Sequence, residues 1–207
     1  MQRADDVYDG VISLLRSCNA HNIPHVKGTL KSHLEGTYHL LRDWGSPVEL
    51  CVAGLCHAVY GTYDFDTQLL TISQRPELRR IVGPHAEGIV YLYAACDRPY
   101  VYPQIGRSSE IRFRDRFSGA EFIPDALSLK SFLEVTFANE LELAGRDNVF
   151  VDARNDSLGA LFERCQGIVS AAAFAHFTRI YDSDNREGCI WRIINRLNRK
   201  STRTWLR

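Results

Sequence analysis

No apolar run in this 207-residue chain reaches the roughly 20 residues that a membrane-crossing helix needs. The opening MQRADDVYDGVISLLRSCNAH lacks the basic-then-apolar order of a secretory leader. None of the six cysteines (18, 51, 56, 96, 165 and 189) forms a CxxC pair with another. Cys51, Cys56 and Cys96 fall instead in apolar stretches, where a free thiol behaves as a small hydrophobe, so a reducing, cytoplasmic setting is expected. Net charge is also missing: 25 basic residues meet 25 acidic ones, which removes any whole-molecule bias toward polyanions. There is no internal repeat and no low-complexity segment.

What remains is an ordinary globular composition, 45% apolar and 24% charged, in a chain long enough to bury one sizeable core. Its periodicity is helical. In KGTLKSHLEGTYHLLRDW, Leu30, Leu34, Thr37, Leu41 and Trp44 recur in steps of four and three, which predicts a helix with one core stripe. SPVE at 46–49 reads as a capping box with proline at the first helical position. It launches VELCVAGLCHAV, apolar nearly all round and therefore expected at the centre. Further helices are predicted at the N-terminus (DDVYDGVISLLRSC), over 83–96 and over 125–144. The segment 157–181 should form one long helix or two short ones. The stretch 97–124, rich in aromatics, proline and glycine, should be a short hairpin or a loop folded over a pocket. The expected architecture is all-α, a helical domain over 1–182. A basic amphipathic segment at 183–207 is expected to pack on the same domain.

Two histidines interrupt this apolar pattern. His33 stands beside the stripe of its helix, three residues after Leu30, and His57 sits at the end of the central helix. On adjacent antiparallel helices two inward imidazoles can meet, and neutral imidazole is a common ligand for zinc, iron and related metals. Each is equally readable as a core histidine bonded to a backbone carbonyl.

SHLEGTYHLLRDWGSPVELCVAGLCHAVYGT resembles the opening half of an HD-type domain, the helical superfamily of metal-dependent phosphohydrolases. The likeness covers roughly residues 28–65 and is carried by His33, Gly45, Ala53, Gly54, Leu55, His57, Val59 and Thr62. It is also similar to HD-like proteins of undefined function that keep HxVYGT in place of HDVVEDT. The resemblance implies an HD-like helical bundle with His33 and His57 as metal ligands. It also implies a last ligand on a later helix, for which FANELE offers Asn139 with Glu140 beside it. The superfamily's paired aspartate is Ala58 here, and its acidic pair is Tyr60 and Gly61. Oxygenases resembling this fold add histidines in the interval that holds His85, with Glu87 two residues on.

Two imidazoles and an amide supply no negative charge, so ordinary phosphohydrolase chemistry ranks third among the expectations. First stands a metal-dependent enzyme of oxygenase or lyase type acting on a small anionic molecule at a single divalent ion, iron before manganese or zinc. Second stands a degenerate, metal-free HD-like binding module. Tyr60 is the expected proton donor or orienter. Arg112, Arg114 and Arg116 alternate with Phe113, Asp115 and Phe117. On an extended strand they share one face, and Arg114 and Arg116 are the expected anion-binding pair. The end of the chain, REGCIWRIINRLNRKSTRTWLR, sets six arginines and one lysine against one glutamate. Such a segment suits nucleic acid or an anionic membrane, though packing on its own domain is the preferred expectation.

Overall fold

The computed structural model describes residues 4–146 and 158–181. The fold is all-α. Helix α1 (Ala4–Ser17) carries Asp5 and Asp6 in its first turn and Arg16 in its last, charges that complement the helix dipole. A two-residue hairpin, β1 (Pro24–His25) with β2 (Gly28–Thr29), then leads into α2 (Leu30–Asp43). The start of α2 is fixed by a reciprocal cap. Thr29 Oγ1 accepts from the Ser32 amide and Ser32 Oγ from the Thr29 amide, both at 3.2 Å.

Helix α3 (Val48–Cys56) runs through the centre with its residues from Leu50 to Cys56 all buried. The expected capping box at 46–49 does not form. Pro47 is itself the cap and makes no side-chain bond, because the helix begins one residue later than SPVE suggests. Helix α4 (Arg75–Ala95) is longer than its apolar second half predicts. It bends at Gly83 (φ 82°), just before Pro84, and the polar first half RPELRRIV carries too little periodicity to be read from sequence. After the short α5 (Arg98–Val101), strands β3 (Phe113–Arg114) and β4 (Glu121–Phe122) pair antiparallel, so the 97–124 stretch contains the hairpin. Helix α6 (Ala126–Arg146) crosses the bundle. Helices α7 (158–164) and α8 (171–181) are two short elements, with Gly167 (φ 80°) between them. The basic segment 183–207 lies outside the described residues. No described helix is long and apolar enough to cross a membrane.

Helix α3 packs on α2, α4 and α6. Its contact with α2 is close because Gly54 has no side chain. A Cβ there would collide with Leu41 Cδ1, a methyl of a fully buried side chain that would have to shift within the core. This approach brings the two helices' histidines within reach of one another.

The hairpin is held to α4 by Asp115. Its carboxylate accepts from Tyr91 Oη at 2.6 Å and from the amides of Phe117 (2.7 Å) and Ser118 (3.2 Å). Burial alone would raise the Asp115 pKa, but these donors prevail and hold it below the usual carboxylate value. A depressed folded pKa stabilises above the unfolded pKa, and the effect is lost as pH falls through the folded one. Asp115→Asn should therefore cost about 1–2 kcal/mol near neutrality. In urea titrations across pH that cost should hold down to about pH 5 and shrink below about pH 4.

Candidate functional site

His33 projects from α2 and His57 caps the end of α3, each 1% exposed. Their Nε2 atoms face each other at 3.3 Å. Asn139 on α6 brings Oδ1 to 2.9 Å from His33 Nε2. Both rings are anchored from behind. His57 Nδ1 lies 2.7 Å from the Gly54 carbonyl oxygen, and His33 Nδ1 lies 2.5 Å from Glu142 Oε2. A backbone carbonyl and an ionised carboxylate can only accept, so opposite such partners each ring, when neutral, holds its single N–H at Nδ1. Asn139 is oriented likewise, its Nδ2 donating to Glu140 Oε1 at 3.1 Å.

With both rings neutral, three lone pairs are aimed into one small space with no hydrogen between them. Either a proton or a metal cation relieves that arrangement. An ion at about 2.0–2.1 Å from each imidazole, the ordinary zinc–nitrogen distance, spans a 3.3 Å gap at close to a tetrahedral angle. Burial, and then the charge of His33, push the His57 pKa down to about 3, which keeps its imidazole in the ligating form. His25, whose ring centroid lies 4.6 Å from that of His33, is pushed down to about 4 by burial and by the same neighbour. The donors fit a single ion in geometry. In charge they provide nothing, and among the described residues no three His, Cys, Asp or Glu side chains are grouped to hold a metal.

The pair opens on a cavity of about 240 Å³ lined also by His25, Ala58, Thr62, Phe65 and Arg98. Ala58 contributes only a methyl group to its wall. Glu140 lines this cavity too, but its carboxylate stands 3.6 Å from Arg98 Nη1. Arg98 is the guanidinium of this cavity, and its sequence context did not single it out. It is 7% exposed, donates to Asp64 Oδ2 at 2.6 Å and to Tyr93 Oη at 3.0 Å, and lies between the ring faces of Tyr93 and Tyr102. Burial would lower its pKa; the surrounding phenols and carboxylates hold it well above the usual value. The available signal was its place at the start of the aromatic, proline-rich stretch expected to fold over a pocket.

Four expected site residues lie elsewhere. Tyr60 is fully buried and donates to Glu87 Oε1 at 3.2 Å, and burial and that carboxylate raise its pKa. Glu87 is itself held by Arg75 at 2.6 and 3.1 Å. Tyr60 therefore points away from the histidines because a buried carboxylate claims its hydroxyl. Arg114 pairs with Asp97 at 2.7 Å and lies over the Tyr100 ring. Arg116 donates to the Ala94 carbonyl at 2.6 Å and lies over Phe117. Alternation does put Arg112, Arg114 and Arg116 on one face, but that face is the outer side of the hairpin, with Ile111, Phe113 and Asp115 turned inward. His85 is exposed and lines a different cavity, with Trp44 and Glu134.

Residues 14–98 match the model of a domain of unknown function (DUF6817). That span runs from α1 to the first residue of α5 and contains both histidines and Arg98, while Asn139 and Glu142 lie beyond it. No curated protein matches the chain, and no solved structure does.

Arg98 and Glu140 form a pair too buried to break without cost, since Glu140 is 3% exposed. Arg98→Met removes the positive charge beside that carboxylate and should destabilise the protein by about 3–5 kcal/mol in chemical denaturation. Adding Glu140→Leu to the same chain should recover most of the loss.

Proposed function

We propose that this cavity is the metal centre of an HD-like enzyme acting on a small anionic molecule. His33, His57 and Asn139 hold a single divalent ion, iron by preference, with manganese or zinc as substitutes. One observation carries the reading: two buried Nε2 atoms converge at 3.3 Å while both Nδ1 atoms are spoken for from behind. Carboxylate and carbonyl partners behind metal-ligating imidazoles fix ring orientation and raise basicity. Glu142, steadied in turn by Arg146, and the Gly54 carbonyl fill those places here. When bound, the ion supplies Lewis-acid or redox assistance of the oxygenase or lyase kind.

The chain's own groups do the rest. Arg98 attracts and orients the anion from the cavity wall. Phe65 packs edge-on against His25 and helps keep water from the histidines. Ala58 leaves the space in which a substrate oxygen approaches them.

One observation favours a second reading, a metal-free binding module. Both ring nitrogens of His33 face acceptors, Glu142 and Asn139, which is also how an imidazolium sits. Elemental analysis of protein purified without chelator separates the two. The enzyme reading expects near-stoichiometric metal, lost in both His33→Ala and His57→Ala. Ala58→Asp returns the missing carboxylate and should slow loss of the ion to chelator at least tenfold. Folded, metal-free wild type whose melting temperature ignores added iron, manganese and zinc would establish the second reading instead.

A further inference from the structure

A second, larger cavity of about 570 Å³ adjoins the first, and the two share Asp64, Arg98 and Glu140 as a common wall. Its other walls are of two kinds. Tyr63, Pro99, Tyr102, Pro103 and Leu161 give flat apolar surfaces, and Tyr63 is 43% exposed, a high value for so large a side chain. Arg107 and Arg164 add positive charge. Arg164 spends its guanidinium on the carbonyls of Ile105, Ala160 and Tyr102, and neither arginine has a carboxylate partner among the described residues.

Two features of this wall point to a ligand. The Tyr102 hydroxyl is buried with no hydrogen-bond partner among the described residues, a cost of about 1–3 kcal/mol that a ligand oxygen would remove. Arg98 meanwhile already holds a carboxylate, that of Asp64, whose own side chain is 40% exposed and sits on the loop after α3. Asp64 occupies the place that an incoming carboxylate would take.

We propose that the two cavities are one bipartite site for an organic carboxylate with a ring-sized apolar body. The ligand's carboxylate displaces Asp64 from Arg98 and accepts a hydrogen bond from Tyr102 Oη. Its body lies between Tyr63 and the proline walls of the outer cavity, and its reacting end faces His33 and His57. This deepens the reading of a metal centre for a small anion and rests on it for the orientation of the reacting end. The exchange of one carboxylate for another, with Glu140 still 3.6 Å from Arg98 Nη1, keeps the buried guanidinium compensated.

The test is calorimetric titration of the full chain with benzoate, acetate and benzyl alcohol, each with manganese present and with chelator. Benzoate should bind at least tenfold more tightly than acetate or benzyl alcohol, because only it fills both halves of the site. Asp64→Asn removes the internal competitor and should tighten benzoate severalfold. Tyr102→Phe should weaken it about three- to tenfold, and Arg107→Glu, at an exposed position, at least tenfold. Benzoate that binds with chelator and in His33→Ala as it does with manganese, yet keeps its dependence on Tyr102 and Arg107, upholds the bipartite site and rejects the metal. Metal-dependent binding of acetate and benzoate with equal affinity, indifferent to Tyr102→Phe and Arg107→Glu, rejects the outer cavity and leaves the metal standing. No benzoate binding at millimolar concentration overturns the proposal.

Discussion

The candidate site depends on how closely α2 can approach α3. Gly54 permits it: with any side chain at that position the Leu41 methyl would have to move into a packed core. The same residue then acts twice, since its carbonyl oxygen receives His57 Nδ1 and aims the opposite edge of that ring at His33. A single glycine therefore sets both the separation of the helices and the orientation of one imidazole. Helix α6 completes the arrangement from the other side with Asn139 and Glu142, one helical turn apart, the first meeting His33 Nε2 and the second its Nδ1.

How much of this was legible depended on where a residue stood relative to a regular repeat. His33 and His57 could be placed facing inward because both belong to helices with clear apolar periodicity, and two such helices joined by the short turn around Gly45 and Ser46 must be antiparallel neighbours. Asn139 follows by the same logic from α6. Glu142 does not, because a charged residue at the margin of a stripe reads as solvated until its partner is known. Arg98 was hidden for a different reason. It stands in a four-residue helix followed by irregular chain, where no period tells which way a side chain points.

The misplaced residues share a cause as well. Arg114 and Arg116 do lie on one face of an extended segment, as alternation requires, yet alternation cannot say whether that face looks into a cavity or away from it. Here the inner face is claimed by Phe113, which packs against Phe132 and Phe122, so the arginines had to face out. Tyr60 directly follows the histidine helix, and nearness in sequence suggested nearness in space. The turn after α3 instead swings its phenol toward Glu87, whose buried charge needs every donor it can reach. In both cases a long-range demand for packing or charge compensation outweighed a correct local pattern.

Charge also bears on what the site can accept. The carboxylates nearest the histidines are already paired: Glu142 with Arg146, and Glu140 and Asp64 with Arg98. The inward-facing donors, two imidazoles and an amide, include no anion. Among the described residues a divalent ion in that space would have no anionic ligand to offset its charge, and in a buried setting uncompensated charge is costly. Compensation must then come from whatever enters the cavity, beside Ala58 where space was left. On the proposed reading, an alanine at 58 leaves the ion short of negative charge, and an anion that enters beside it holds the ion more firmly. That reading makes the absence of a carboxylate at Ala58 a reason for the site to select negatively charged ligands.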